Sequence, residues 1–336
     1  MHSTETPITL PADLVWVTRP FPNSNMLLLR GERPTAVDTG FAAHAEQTAS
    51  LIHEHLPRVQ RVVNTHWHSD HVGGNRLLQT QGAEIVASAV DAEALDRRDP
   101  GCCVAEYLEQ PVPAYTVDTS VSHADTVHLG DRQWQVHAVP GHAVGHIALY
   151  EPEQRLLMVG DTLTSYDVGW VNVMLDGMAG VEAALDSVTR LAELDVRVIL
   201  PGHGPIITDA PAVLAKARER LTRQCADLPF AVDYGVRRAL AYQLMISGGR
   251  PADTLEQYVA STSWARDAAA LLGEDVAEFA ARLVRSSLDS GAFRREGSLV
   301  LASLEHETAD PEVFRLPWPR DWEPVAPPEP AEAAES

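Results

Sequence analysis

Between residues 62 and 75 the chain reads VVNTHWHSDHVGGN, which packs His66, His68, Asp70 and His71 into six positions. In an extended segment, side chains two residues apart point to the same side. His66 and His68 can therefore converge on one point, while Asp70 and His71 aim at a neighbouring one. Imidazole nitrogen and carboxylate oxygen suit zinc and similar divalent ions, and the segment offers no thiolate pair. Four ligands cannot complete two metal sites, so others must arrive from distant sequence. AVPGHAVGH offers His142, LLMVGD ends on Asp161 and VILPGHGP offers His203.

Each of these residues follows a strand-like run, and strand ends are where loops can carry polar groups over an apolar scaffold. Strands are expected at 14–17, 25–30, 35–40, 61–66, 83–88, 132–139, 147–152, 155–161 and 196–202. The segments 42–56 and 179–194 carry apolar residues at helical spacing and are expected to cover the sheet. Gly73, Gly141, Gly160, Gly202 and Gly204 stand beside the ligands, where tight turns and close backbone approach are needed. This alternation to about residue 213 reads as a layered α/β domain (1–213). From 214 to 308 the texture changes to charged, Ala-rich helices followed by a hairpin with Gly297 in its turn, a winged-helix-like order. The Pro- and Glu-rich stretch 309–336 reads as a disordered tail.

The ordered set His66-x-His68-x-Asp70-His71, Pro140-Gly-His142, Gly160-Asp161 and Pro201-Gly-His203-Gly, with the early Val37-Asp-Thr-Gly, resembles the metallo-β-lactamase superfamily over most of residues 10–210. The resemblance implies a four-layer αββα sandwich with a cleft at one edge. It implies a first metal held by His66, His68 and His142, a second held by Asp70, His71 and His203, and Asp161 bridging the two. Two Zn2+ are the implied ions, with iron or manganese left open. Such a pair lowers the pKa of a bridging water towards about 7 and polarises a carbonyl oxygen. Asp70, as ligand and proton acceptor, is the candidate catalytic residue. His146 is expected to support the ligands, and Asp38 either orients the metal loop or makes an Asx-type turn. The C-terminal unit resembles the small winged-helix domain appended to one branch of the superfamily and is expected to pack at the rim and narrow the cleft. Tyr166, Trp170 and Met174 are candidates for an apolar substrate wall.

Composition narrows the function. The 336 residues carry 47 acidic against 26 basic side chains, a formal charge of -21, and Lys216 is the one lysine. Such a field repels polyanions, which disfavours a nucleic-acid partner. No run is long enough to span a membrane, no secretory pattern opens the chain, and Cys102, Cys103 and Cys225 make no disulfide framework, so a cytoplasmic enzyme is expected. A dinuclear hydrolase of a small carboxylic ester, thioester or lactone is the leading function. Glyoxalase-II-like activity meets the objection that basic residues for glutathione carboxylates are not evident. An iron-dependent persulfide dioxygenase, a metal-dependent phosphodiesterase or ribonuclease, and a β-lactamase are the alternatives, and a homodimer stays open.

Overall fold

The computed structural model describes residues 9–98 and 101–323. The apolar runs form strands whose alternate side chains enter different layers. Six of them, β1 (Leu14–Val17), β2 (Met26–Leu29), β3 (Thr35–Val37), β4 (Arg61–Val63), β5 (Glu84–Ser88) and β6 (Thr119–Val121), make one sheet in that order. It is antiparallel from β1 to β3 and parallel from β3 to β6. A second sheet has the order β11-β10-β9-β8-β7, built from β7 (Thr126–Leu129), β8 (Arg132–Ala138), β9 (Ile147–Glu151), β10 (Leu156–Gly160) and β11 (Val198–Pro201). All nine strands expected from sequence are present. The short, mostly exposed β6 and the half-exposed β7 went unread because they lack an apolar run.

Leu27, Leu29, Val37, Val63 and Val86 meet Trp134, Val136, Leu149, Met158 and Leu200 between the sheets. The opposite face of the first sheet, with Met26, Leu28, Val62 and Ile85, is covered by α1 (Ala45–His55), α3 (Asn75–Thr80) and α4 (Ala89–Arg97), the four-residue α2 (Ser69–Val72) lying at the sheet end. The outer face of the second sheet is covered by α5 (Val173–Leu191), α6 (Ala210–Ala226) and α7 (Leu228–Ile246). The layers are thus α, β, β, α. Asp209 caps α6 and Asp227 caps α7, each accepting a backbone N–H of the first turn, with proline inside each start.

Beyond α7 come the two-residue β12 (Arg250–Pro251), α8 (Leu255–Ser261), α9 (Ser263–Leu272), α10 (Val276–Asp289) and the hairpin β13 (Phe293–Glu296) to β14 (Leu299–Ala302), turned at Gly297. Thr262 breaks the path between α8 and α9 and caps α9 by accepting the Ala265 backbone N–H. Trp264, Phe279 and Leu283 join the same apolar cluster as Leu157, Val159 and Ile199 of the second sheet. The C-terminal unit therefore shares its core with the sandwich. The segment from 309, read from composition as unstructured, is folded as far as residue 323: Pro311–Arg315 and Pro319–Asp321 form 3-10 turns, and Trp322 is buried beside Tyr115. Two tryptophans give this stretch the apolar area that its proline and glutamate content conceals. Residues 324–336 of the expected tail lie outside the described residues. Among the described residues, no helix is long and apolar enough to cross a membrane.

Candidate metal centre

The carboxyl ends of β3, β4, β8, β10 and β11 open at one edge of the sandwich and deliver Asp38, the 64–71 loop, His142, Asp161 and His203. The chain leaves β4 extended through His68 (φ -65°, ψ 153°) and then enters α2, which carries Asp70 and His71. The glycines that follow serve space more than rotation: Gly73 has a helical φ of -60°, and a Cβ there would fall 2.1 Å from the Ala42 nitrogen. Gly202 is still more constrained by the site, since its Cβ would fall 2.1 Å from Asp161 Oδ1.

The ligand atoms of His66, His68 and His142 all lie within 4.8 Å of one another, and so do those of Asp70, His71, Asp161 and His203. His142 Nε2 is 2.8 Å from His68 Nδ1 and 3.0 Å from His66 Nε2. Asp161 reaches both groups. Its Oδ1 is 3.3 Å from His71 Nε2, and its Oδ2 is 3.4 Å from His203 Nε2 and 3.7 Å from His142 Nε2. Asp70 Oδ2 faces His203 Nε2 at 3.1 Å. The seven residues singled out in the sequence are therefore brought together, six of them buried and Asp161 nearly so.

Surrounding groups fix which nitrogen faces inward. His71 Nδ1 lies 2.8 Å from Asp38 Oδ2, and Asp38 also accepts from the Thr65 backbone N–H (2.8 Å) and hydroxyl (2.9 Å). Asp38 is fully buried with a left-handed φ of 62°, a conformation that the three contacts hold in place. These contacts tie Asp38 to the loop that carries the histidines. His142 Nδ1 meets the Trp170 carbonyl at 2.6 Å, and His146 Nε2 accepts from the Asp161 backbone N–H at 3.3 Å. Asn25 donates to the carbonyls of Pro201 and Gly204 and so holds the His203 turn.

The charge state of this cluster is that of a cation site. Burial, and then the neighbouring histidines, hold His66 and His68 well below the usual imidazole value, so both are neutral and free to ligate. Burial also lowers His71 and His203, but carboxylates outweigh it. Asp38, Asp161 and Asp70 raise His71 well above its usual value, and Asp161 with Asp70 pushes His203 up to about 9. His71 Nε2 and Asp161 Oδ1 are buried without a hydrogen-bond partner. Two buried carboxylates, the nearly buried Asp161 and inward-facing imidazoles with unmatched polar atoms fit divalent metal ions, which would replace the protons now balancing the charge.

A cleft of about 560 Å³ opens over the cluster. Phe21 stacks on His203 at 4.3 Å between ring centroids, and Tyr166, Val168, Trp170 and Leu108 line the near side. The far side is C-terminal: Arg237, Arg238, Ala239, Ala241, Tyr242 and Met245 of α7, then Ala292, Ala302, Ser303 and Leu304. Tyr166 and Trp170 take the wall positions expected of them. Met174 does not; it is buried in the helix layer outside the second sheet. Phe21, Tyr242 and the two arginines were missed, since no local pattern in the sequence marks them.

Sequence reading also missed Asp91, at the third position of α4 behind Ser88, where S-x-x-D looks like a capping box. Ser88 does cap α4. The Asp91 carboxyl turns inward instead, 1% exposed, towards the loops that carry the ligands, so that a Cβ on Gly145 would fall 1.9 Å from Asp91 Oδ1. Burial pushes its pKa up to about 8, opposed by the Trp67 backbone amide.

A family model described as "Metallo-beta-lactamase superfamily" matches residues 19–203, more than half of the chain. A hydroxyacylglutathione hydrolase of Hyphomonas neptunium is 33% identical over 144 residues, covering 41% of this chain and 46% of the relative. One from Rhodobacter capsulatus is 32% identical over 175 residues, covering 50% and 59%. The chain thus spans about half the length of these curated relatives. Among solved structures, a metallo-β-lactamase family protein of Thermus thermophilus aligns over 86% of this chain and 97% of its own, with a TM-score of 0.53 at 20% identity. The subclass B3 metallo-β-lactamase of Bradyrhizobium japonicum covers 65% and 93% with a TM-score of 0.52, also at 20% identity. With the αββα layers and the converged histidines and aspartates already in place, the chain belongs to the metallo-β-lactamase superfamily.

Proposed function

We propose that the protein is a two-metal hydrolase of small carboxylic thioesters, with esters and lactones as related substrates, and that its ions are zinc. The observation that carries this is the reach of Asp161 from the His71 and His203 side to His142 of the other triad. His66, His68 and His142 would hold one ion and Asp70, His71 and His203 the other, with Asp161 shared. When bound, such ions ionise water near neutral pH and polarise a carbonyl oxygen.

The chain's own groups account for the rest. Asp70 turns Oδ2 towards His203 and His71, and its carboxylate orients the attacking water and takes its proton. Phe21, Trp170 and Tyr242 line the cleft with apolar ring surface. A thiol leaves as thiolate near its ordinary pKa of about 8.5, so thioester cleavage needs no strong acid to protonate the leaving group. The thioester bond is the feature supported by the hydroxyacylglutathione hydrolases; the glutathione portion is not carried over. Arg237 and Arg238 do reach the cleft, but Arg238 is paired with Asp167 and Arg237 donates to Ser290.

The test is metal content of the purified protein followed by a panel of thioesters, lactones, β-lactams and phosphodiesters. Two divalent ions per chain, with thioester turnover lost in His68→Ala and Asp161→Ala, is the expected result. One iron per chain with oxygen uptake on a persulfide, or cleavage of phosphodiesters alone, would overturn the proposal.

A further inference from the structure

The cleft wall supplied by the C-terminal unit has its polar tips already engaged. Tyr242 donates its hydroxyl to the Pro22 carbonyl at 3.1 Å, which leaves the ring face to the cleft. Trp170 opposite donates Nε1 to the Gly235 carbonyl at 3.0 Å. Arg238 lies over the Tyr234 ring at 3.6 Å and bonds Asp167, while Arg237 donates to Ser290 Oγ at 2.9 Å. Apart from Ser303 and these two paired arginines, what faces the cavity on that side is hydrocarbon: Tyr242, Met245, Ala241, Ala292, Ala302 and Leu304. Leu304 is 47% exposed, an exposure that a bound chain would relieve. The polar groups near the floor are the metal-centre side chains with Gln110 and Thr164, which are bonded to Ser69 and to the Asp167 carbonyl, so a ligand is fixed by its reacting end and fills most of the remaining cleft of about 560 Å³ with apolar matter.

We infer that the C-terminal unit makes this site selective for substrates whose acyl group is an uncharged hydrocarbon chain of several carbons, laid against Tyr242, Met245, Ala241 and Leu304. This rests on the hydrolase reading only for the identity of the bond cleaved; the ligand chemistry follows from the wall. Small polar acyl groups would leave the wall wet and forfeit its contribution. Each methylene moved from water into the wall is worth about a three- to fourfold gain in affinity.

Two measurements on the full-length, metal-loaded protein test this. The first is calorimetric binding of straight-chain alkyl hydroxamic acids of two to twelve carbons, whose metal-chelating head seats the chain in the cleft without turnover. The second is kcat/KM for N-acetylcysteamine thioesters of the same lengths. Both are expected to rise steeply with length, by about threefold or more per carbon, up to the length that fills the cleft. Ala241→Leu, partly exposed and on a helix that tolerates leucine, should reduce the ratio of long-chain to short-chain affinity at least tenfold; Ala292→Leu is the second variant, on a different element. A length dependence that is flat in both series, or a ratio that neither variant moves, would overturn the inference. If hydroxamates show the length steps while no thioester is cleaved, the inference stands and the proposed reaction falls. If short thioesters are cleaved and the hydroxamate series is flat, the reaction stands and the inference falls.

Discussion

Asp91→Asn is expected to stabilise the protein at neutral pH and to leave it nearly unchanged in acid. The folded carboxyl has its pKa raised from 3.8 to about 8 by burial. Burial raises the neighbouring Cys103 thiol and Tyr115 hydroxyl well above their usual values, so both stay neutral and neither compensates a charge. The direction follows from linkage. A raised acid pKa means that the folded state keeps a proton that the unfolded chain releases once pH passes 3.8. Stability is therefore greatest below that value and falls as pH rises, by about 1.4 kcal/mol per pH unit until the folded pKa is reached. At pH 7 the difference of 3.2 units from the unfolded value of 3.8 amounts to about 4 kcal/mol. Asparagine keeps the shape and cannot ionise in either state, so it removes this dependence. Urea unfolding of both proteins between pH 4.5 and 8 gives the comparison, the difference between them cancelling the histidine titrations they share. A stability difference that grows by several kcal/mol across that range in favour of asparagine is the expected result. A constant difference, or one favouring aspartate as pH rises, would refute the reasoning and mean that Asp91 is ionised in the fold and matched by a positive group.

Two substitutions probe how the metal centre is held. Asp38→Ala removes the acceptor that fixes His71 Nδ1, and loss of such an outer partner costs roughly 10- to 100-fold in metal affinity; competition with a chelator, read as metal content, measures it. In Gly202→Ala the new Cβ would meet Asp161 Oδ1 at 2.1 Å, so the shared carboxylate must move. Bound metal should fall below two per chain by elemental analysis while the far-ultraviolet circular dichroism is retained, and full metal content in this variant would show that the carboxylate has room to shift.

The amino-acid sequence by itself determined the candidate ligands and the strands that carry them. Imidazoles and carboxylates that sit directly after apolar runs are forced to the ends of strands, because a strand buried on both faces has nowhere else to put a charge. For this reason His66, His68, Asp70, His71, His142, Asp161 and His203 stand out in the sequence, and the fold gathers them into two adjacent groups that Asp161 links. Local pattern failed where a residue acts through distant partners. Asp91 reads as a helix cap until α4 is packed against the loops bearing the candidate ligands, and Met174 reads as a wall of the site until α5 buries it against α7. Tyr242 lies more than a hundred residues from most of the ligands and reaches Pro22 only because α7 crosses the cleft. Trp322 anchors a segment whose composition alone argues for disorder. Tertiary structure decided the wall of the cleft, since which side chains face a cavity depends on the docking of α7 and the β13–β14 hairpin, and that docking is set by an apolar cluster shared between elements far apart in the chain.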